Sequence, residues 1–380
     1  MHIPDGYLSP STCAVFYAAS APFWYIALRR VKRTLSTRLV PLLSVMAALS
    51  FVIMMFNLPL PGGTTGHAVG VAIATIILGP WASILAISIA LSIQAVFFGD
   101  GGITTLGANC FNMAIVGSLA AYAVYRVAAG RAPLTSARRV VAAALAGYAA
   151  VNTSAFCAAV EFGIQPLFFK DPSGAPLYAP YPLSIAIPAM MIGHLTLAGL
   201  AELTLSAGVV AFFQRTHPAL LKRTAPVSVD VEEEAAGAAG RDWWRPMRPL
   251  WTGLALLMVL TPLGILAAGT AWGEWSARDF SSRQARAKMA AASRNAEPPA
   301  QTPSGLARLS SLWTAPFPQY APSFVHRPAL GYALSAMFGS GTIVLISLLA
   351  GSVTARAQRK KGQNGYAASR ELAGGEGQSP

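Results

Sequence analysis

The chain has 380 residues, 54% of them hydrophobic and only 11% charged, where soluble domains carry about a quarter charged. This excludes a soluble enzyme or scaffold and points to an all-α integral membrane protein. The net charge of +13 does not mark a nucleic-acid binder. The basic residues fall in short clusters beside apolar runs, at Arg29 to Arg38, Arg126 to Arg139, Arg215 to Arg223 and Arg356 to Lys361, as they do in cytoplasmic loops of membrane proteins.

The chain opens Met1-His2-Ile3-Pro4-Asp5-Gly6. A free α-amine, the amide of His2 and its imidazole Nδ1 close adjacent chelate rings on one ion and leave a planar fourth position. That geometry suits Ni(II) or Cu(II) better than Mg(II) or Ca(II). The competing reading is a histidine that merely follows the start of a frayed terminus. No positive region precedes the first apolar segment, so a cleavable signal peptide is not expected and the N-terminus is expected outside.

Apolar segments long enough to cross about 30 Å run near residues 11–28, 38–58, 82–98, 109–127, 139–160 and 183–213. A shorter one, 67–80, ends at Gly79-Pro80, where proline stops a helix, and is expected to cross as a third span in a tight hairpin with the fourth. Seven crossings put the first three basic clusters inside. They put His2, the loop before His67, the stretch Gly99 to Gly107 and the loop 161–182 outside. Residues 1–222 form this membrane domain. Residues 223–246, acidic and then Ala/Gly-rich, read as a cytoplasmic linker. Residues 247–354 hold two further spans, near 249–269 and 329–352, around an outer segment rich in Ser, Pro and Arg. Residues 355–380 read as a basic, disordered cytoplasmic tail.

His67 lies in Pro61-Gly-Gly-Thr-Thr-Gly-His67-Ala-Val-Gly, a flexible approach to a helix. Alone it reads as a hydrogen-bonded structural residue; beside an outward-facing His2 it is the natural fourth donor. Gln94, Asp100, Asn109 and Asn112 border a glycine-bearing stretch whose polar groups are expensive near a bilayer unless paired. They are expected to form the floor of the site and orient its imidazoles, with helix-to-helix hydrogen bonding as the alternative. His194 and Glu202 lie eight apart on one helix, within about 80° of each other, and read as a structural pair or coupling element, Glu202 toward the cytoplasmic end. Cys13, Cys110 and Cys157 have no CxxC spacing. No GxxxxGK[ST], HExxH or GxSxG motif occurs, so ATP hydrolysis by that loop and the corresponding hydrolase chemistries are not expected.

The opening Met-His-Ile-Pro-Asp-Gly-Tyr-Leu-Ser-Pro, His67 behind its glycine-threonine loop, the stretch Gln94 to Met113 and the helix Gly193-His194 to Glu202 closely resemble the substrate-capture subunit of cobalt and nickel energy-coupling-factor transporters, over about residues 1–222. The resemblance implies a seven-helix bundle in the bacterial inner membrane. It binds Ni(II) or Co(II) as transported substrate through the amine of Met1, the amide and imidazole of His2 and the imidazole of His67, with no organic cofactor. It also implies a transmembrane coupling subunit and cytoplasmic ATP-binding-cassette ATPases as partners, within membrane lipid. The C-terminal Thr261-Pro-Leu-Gly264 and Gly269-Thr-Ala-Trp-Gly-Glu274-Trp275 look like the two-span auxiliary subunit of the same systems, fused behind the linker. Nickel is expected slightly ahead of cobalt, and affinity is expected to fall as pH drops below the histidine range near about 6.5. The reading from another class is a membrane metal sensor or scaffold that binds the ion without carrying it.

Overall fold

The computed structural model describes residues 1–34, 39–224, 247–267 and 269–374. Helix α1, Pro10–Thr34, begins where Ser9 Oγ accepts from Thr12 N at 3.1 Å, an N-cap followed by a proline that needs no donor. Helix α2, Leu39–Met54, leads into a hairpin of β1, Leu58–Leu60, and β2, Thr64–Gly66, in which Leu58 pairs with Gly66. Gly62 and Gly63 turn it with φ of 83° and 73°.

Gly70, in the left-handed region at φ 74°, holds off helix until Val71, so α3 is only Val71–Leu78. Eight residues rise about 12 Å, too few to cross a bilayer of about 30 Å. The third span expected over 67–80 is therefore a fully buried short helix entered by non-helical chain. The far end of α3 is fixed by Thr224 Oγ1, which donates to Ile76 O at 3.0 Å. His67, four residues ahead of α3, consequently lies within the bundle and not at its rim.

Three of the following helices contain π turns. Helix α4, Pro80–Ile93, widens over Gln94–Phe98. Helix α5, Leu106–Asn109, passes through Cys110–Val116 into α6, Gly117–Ala129. Helix α8, Leu183–Gly193, passes through His194–Ala198 into α9, Gly199–Thr216. Between them α7, Ala137–Phe168, packs closely on α8 and α9. A Cβ on Gly147 would stand 2.5 Å from Ser206 Oγ, and one on Gly163 2.7 Å from Leu183 Cα. Small residues permit such approach between membrane helices.

The C-terminal part adds α10, Arg248–Leu260, with a 3-10 turn at Thr261–Leu266. The short α11, Arg283–Ala292, and α12, Ser304–Leu309, follow, then α13, Pro328–Gly374. Helices α10 and α13 dock on α2: Tyr332 Oη donates to Met55 O at 3.0 Å, and Gly339 lies against the Phe51 ring. The last helix does not stop at residue 354. The tail expected to be disordered from 355 continues α13 to Gly374, because Ala, Arg, Gln, Lys and Glu dominate it and are good helix formers. Most of the expected linker, 225–246, and the last residues, 375–380, lie outside the described residues.

Among the described residues seven helices are long and apolar enough to cross a membrane: Pro10–Lys32, Pro80–Phe98, Leu106–Ala129, Ala137–Phe168, Leu183–Thr216, Arg248–Leu266 and Pro328–Val353, with the shorter apolar Val40–Met54 beside them. Large apolar side chains stay exposed along their outer faces, among them Val15, Leu145, Leu200, Val259 and Leu345. That is the signature of a lipid-facing surface.

The chain between α10 and α13 folds back over the membrane domain. Trp272, 5% exposed, stands edge-on to Phe162 at 5.7 Å between ring centroids and close to Tyr181 and Trp275, while its Nε1 donates to Ser293 Oγ at 3.1 Å. Trp272→Ala is expected to cost about 3–5 kcal/mol, read as a lowered unfolding midpoint of the detergent-solubilised chain. An unchanged midpoint would show that this docking is not stabilising.

Candidate metal centre

The amino terminus is not frayed: Met1 is 2%, His2 1% and Ile3 0% exposed. A buried terminal segment is affordable only where its main-chain polar groups are paired, and the 99–109 stretch supplies the partners. Ile3 N donates to Asn109 Oδ1 at 2.8 Å, and Ile3 O accepts from Asn109 Nδ2 and Gly102 N, each at 3.0 Å, and from Thr105 Oγ1. The Asp5 carboxylate accepts from Ile103 N at 3.1 Å and Thr104 N at 2.7 Å. Gly102 is indispensable to this wrap, because a Cβ there would stand 2.4 Å from Asp5 N.

The wrap fixes His2 against His67. His67 is 5% exposed; its Nδ1 sits 3.0 Å from Ala68 O. A carbonyl only accepts, so Nδ1 carries the proton and Nε2 keeps its lone pair. That Nε2 is 3.3 Å from His2 Nδ1, and His2 Nδ1 is also 3.1 Å from Asp100 Oδ1. Asp100 is held in turn by Tyr320 Oη, donating to its Oδ2 at 2.6 Å, and by Gln94 Nε2 at 3.2 Å. The α-amine of Met1 lies 3.5 Å from Glu274 Oε1. A cavity of about 490 Å³ opens beside these groups, lined from both halves of the chain by Asp5, His67, Asp100, Glu274 and Tyr320 among others.

Burial, reinforced by the neighbouring His2 and the Met1 amine, lowers the His67 imidazole to about 3. Burial alone would raise the Asp100 carboxyl, but the His2 ring beside it and the Tyr320 hydroxyl hold it well below the usual carboxylate range. Among the described residues no three His, Cys, Asp or Glu side chains gather to hold a metal ion, so an ion here depends on nitrogens of the terminus and main chain as well as on the two rings.

The expected residues separate into groups. Met1, His2 and His67 come together, with Asp100 and Gln94 directly behind and Asn109 fixing the segment through Ile3. Asn112 is not drawn to these groups: its main-chain carbonyl accepts from Ser154 Oγ on α7 at 2.9 Å, and its buried side-chain amide has no hydrogen-bond partner. His194 and Glu202 are not bonded to one another. Glu202 is not remote from the site either. Its Oε2 accepts from Val69 N at 2.6 Å and Gly70 N at 2.9 Å, binding the entrance of α3 just behind His67, because the short α3 lets that loop descend to the level of Glu202. Two residues escaped the sequence, Glu274 and Tyr320; the only signal for either was the Trp-Gly-Glu-Trp motif around Glu274.

The pH expectation changes with this geometry. Protonation of His67 cannot weaken the site near neutrality, since the folded ring stays neutral until about pH 3. Histidine ring spectra of the protein without added metal are expected to show His67 unprotonated from neutral pH down to about pH 5. The unfolded chain takes up that proton near about 6.5 while the folded chain does not. This group therefore lowers stability progressively as pH falls from there toward about 3. A ring that titrates near its ordinary value would contradict the burial.

Residues 2–220 match the family described as cobalt uptake substrate-specific transmembrane region, and residues 248–356 match the PDGLE domain. The chain is 57% identical over 353 residues to the fused nickel transport protein NikMN of Rhodobacter capsulatus, covering 92% of this chain and 97% of that one. It is 40% identical over 352 residues to the probable fused nickel transport protein LarMN of Lactiplantibacillus plantarum, covering 92% and 96%. A crystal structure of a transition metal transporter superposes with a TM-score of 0.54 at 46% identity, covering 56% of this chain and 92% of that chain. The chain thus belongs to the cobalt uptake substrate-specific transmembrane family, with a PDGLE domain behind it.

Proposed function

We propose that this protein is the capture component of a nickel or cobalt uptake system. It takes Ni(II) or Co(II) from the outer side of the membrane through the Met1 amine, the His2 amide and Nδ1, and His67 Nε2. It works with a transmembrane coupling subunit and two cytoplasmic ATPases, its N-terminus outside and its C-terminus in the cytoplasm. The observation that carries the reading is the 3.3 Å between His2 Nδ1 and His67 Nε2. Two nitrogens about 2 Å from one ion and this far apart subtend roughly 110°, and an approach of about 0.5 Å brings them to the right angle of a planar site. Four nitrogens in a plane favour Ni(II). Two relatives that match over 92% of the chain are named as nickel transport proteins, one of them as probable, which supports nickel ahead of cobalt.

The chelate needs the amine, the amide and Nδ1 free of the protons that the ion displaces, so binding releases protons. Before the ion arrives, Asp100, braced by Gln94 and Tyr320, accepts from His2 Nδ1 and yields that nitrogen to the ion, while Asn109 and Asp5 hold the main chain that carries it.

One residue inserted between Met1 and His2 breaks the adjacent chelate rings, and His67→Ala removes the fourth donor. Each is expected to leave folding intact and weaken Ni(II) binding by more than about a hundredfold, beyond the loss typical of an outer-sphere partner; unchanged affinity in either overturns the assignment. Uptake by cells expressing this chain is expected only with the coupling subunit and ATPases co-expressed. Uptake that needs no ATPase, or metal binding that never leads to uptake, would replace transport of this kind with another function.

A further inference from the structure

The ring of His194 has a feature that helix packing leaves unexplained. It is 3% exposed and opens the π turn between α8 and α9. Its Nδ1 lies 2.8 Å from Met190 O, so Nδ1 carries the proton and Nε2 presents a lone pair. That Nε2 is buried and has no hydrogen-bond partner. A neutral imidazole with Nδ1–H anchored on a main-chain carbonyl and Nε2 bare is the arrangement of a metal ligand, and buried polar atoms without partners call for an occupant.

The residue before this ring packs beside the residue before His67. Gly66, before His67, and Gly193, before His194, pack on the same Leu60 methyl carbon: a Cβ at either would lie 2.6 or 2.7 Å from it. Further unpaired oxygens continue along the seam between α7 and α9. Asn152 Oδ1, Glu202 Oε1 and Ser206 Oγ are buried with no hydrogen-bond partner, and the Asn152 amide lies, through its Nδ2, against Gly199 at the start of α9. On an unbroken helix, His194 and Glu202 would diverge by about 80°. The chain is kinked between them at Thr196, whose φ of −104° and ψ of −106° are non-helical, so that divergence does not hold here. Nitrogen first and oxygens after it are donors that divalent first-row cations accept.

We propose that His194 Nε2 is a ligand of a second, interior site for a divalent transition-metal ion, which receives the ion after the outer chelate and passes it along the α7–α9 seam toward Glu202. The proposal rests on the chelate reading, and its test separates the two. The probe is Co(II), followed by its visible absorption in the purified full-length chain. His194→Ala is expected to retain outer-site affinity within about twofold yet reduce cellular Ni(II) or Co(II) uptake by at least about tenfold, the scale of losing a supporting metal contact. His67→Ala, with the outer site disabled, is expected to show a weaker residual Co(II) spectrum that the double variant His67→Ala, His194→Ala loses. His194→Gln, which keeps most of the volume, serves if the alanine variant does not fold, and its uptake is expected to fall likewise. Identical Co(II) titrations of the single and double variants, as water at Nε2 would give, or wild-type uptake by the His194 variants, overturn the second site while leaving the chelate standing. Full-affinity binding by His67→Ala alone would instead overturn the chelate.

Discussion

The arrangement depends on satisfying the main chain of a buried terminus. Three residues with almost no exposure could not sit inside a membrane bundle with bare amides, since each unpaired group costs about 1–3 kcal/mol. The turn after α4 prevents this by bonding both polar groups of Ile3 and both oxygens of Asp5. Because that turn is rich in glycine and short hydroxyl residues, it closes around residues 2–5 at backbone distance. The position of the His2 ring follows from that clamp, and the position of His67 from the short helix behind it, itself capped by Glu202. The two halves of the proposed chelate are thus set by separate structures that meet at 3.3 Å.

Three departures from regular helix share a logic. Gln94 and Asn112 each lie in a π turn, where the widened helix redirects a polar side chain without ending the span, and His194 opens a turn kinked at the non-helical Thr196. In a bilayer this matters more than in water, because a broken helix would expose main-chain groups to lipid. The widened turn gives the bundle polar groups in its interior while its outer faces stay apolar.

Much of this was readable in residue order. Apolar runs of span length located the long helices, Gly79-Pro80 marked the break before α4, and the opening dipeptide with His67 named the residues that the fold brings together. What escaped was set by depth and by long-range packing. Ala68-Val69-Gly70 is as apolar as the helix it precedes, so periodicity could not show that the chain is not helical there, and Glu202 was placed too far from the site in consequence. The ties of Glu274 to Met1 and of Tyr320 to Asp100 span 273 and 220 positions, and no local pattern encodes them. Ala-, Lys- and Arg-rich chain after 354 looked too polar for order, yet polarity does not oppose helix once a preceding helix has nucleated it.

The pairing of residue 1 with residue 274 also sets an order of events in synthesis. A ribosome adding about 5–20 residues per second needs roughly 15–60 s to progress from His2 to Tyr320, the last residue tied to the site. Until Glu274 is made the amine lacks the carboxylate that finally meets it, and stays open to the enzymes that trim or modify new chains. The Met1 amine is thus among the last groups of the proposed site to be enclosed, its partners at 274 and 320 being made long after it.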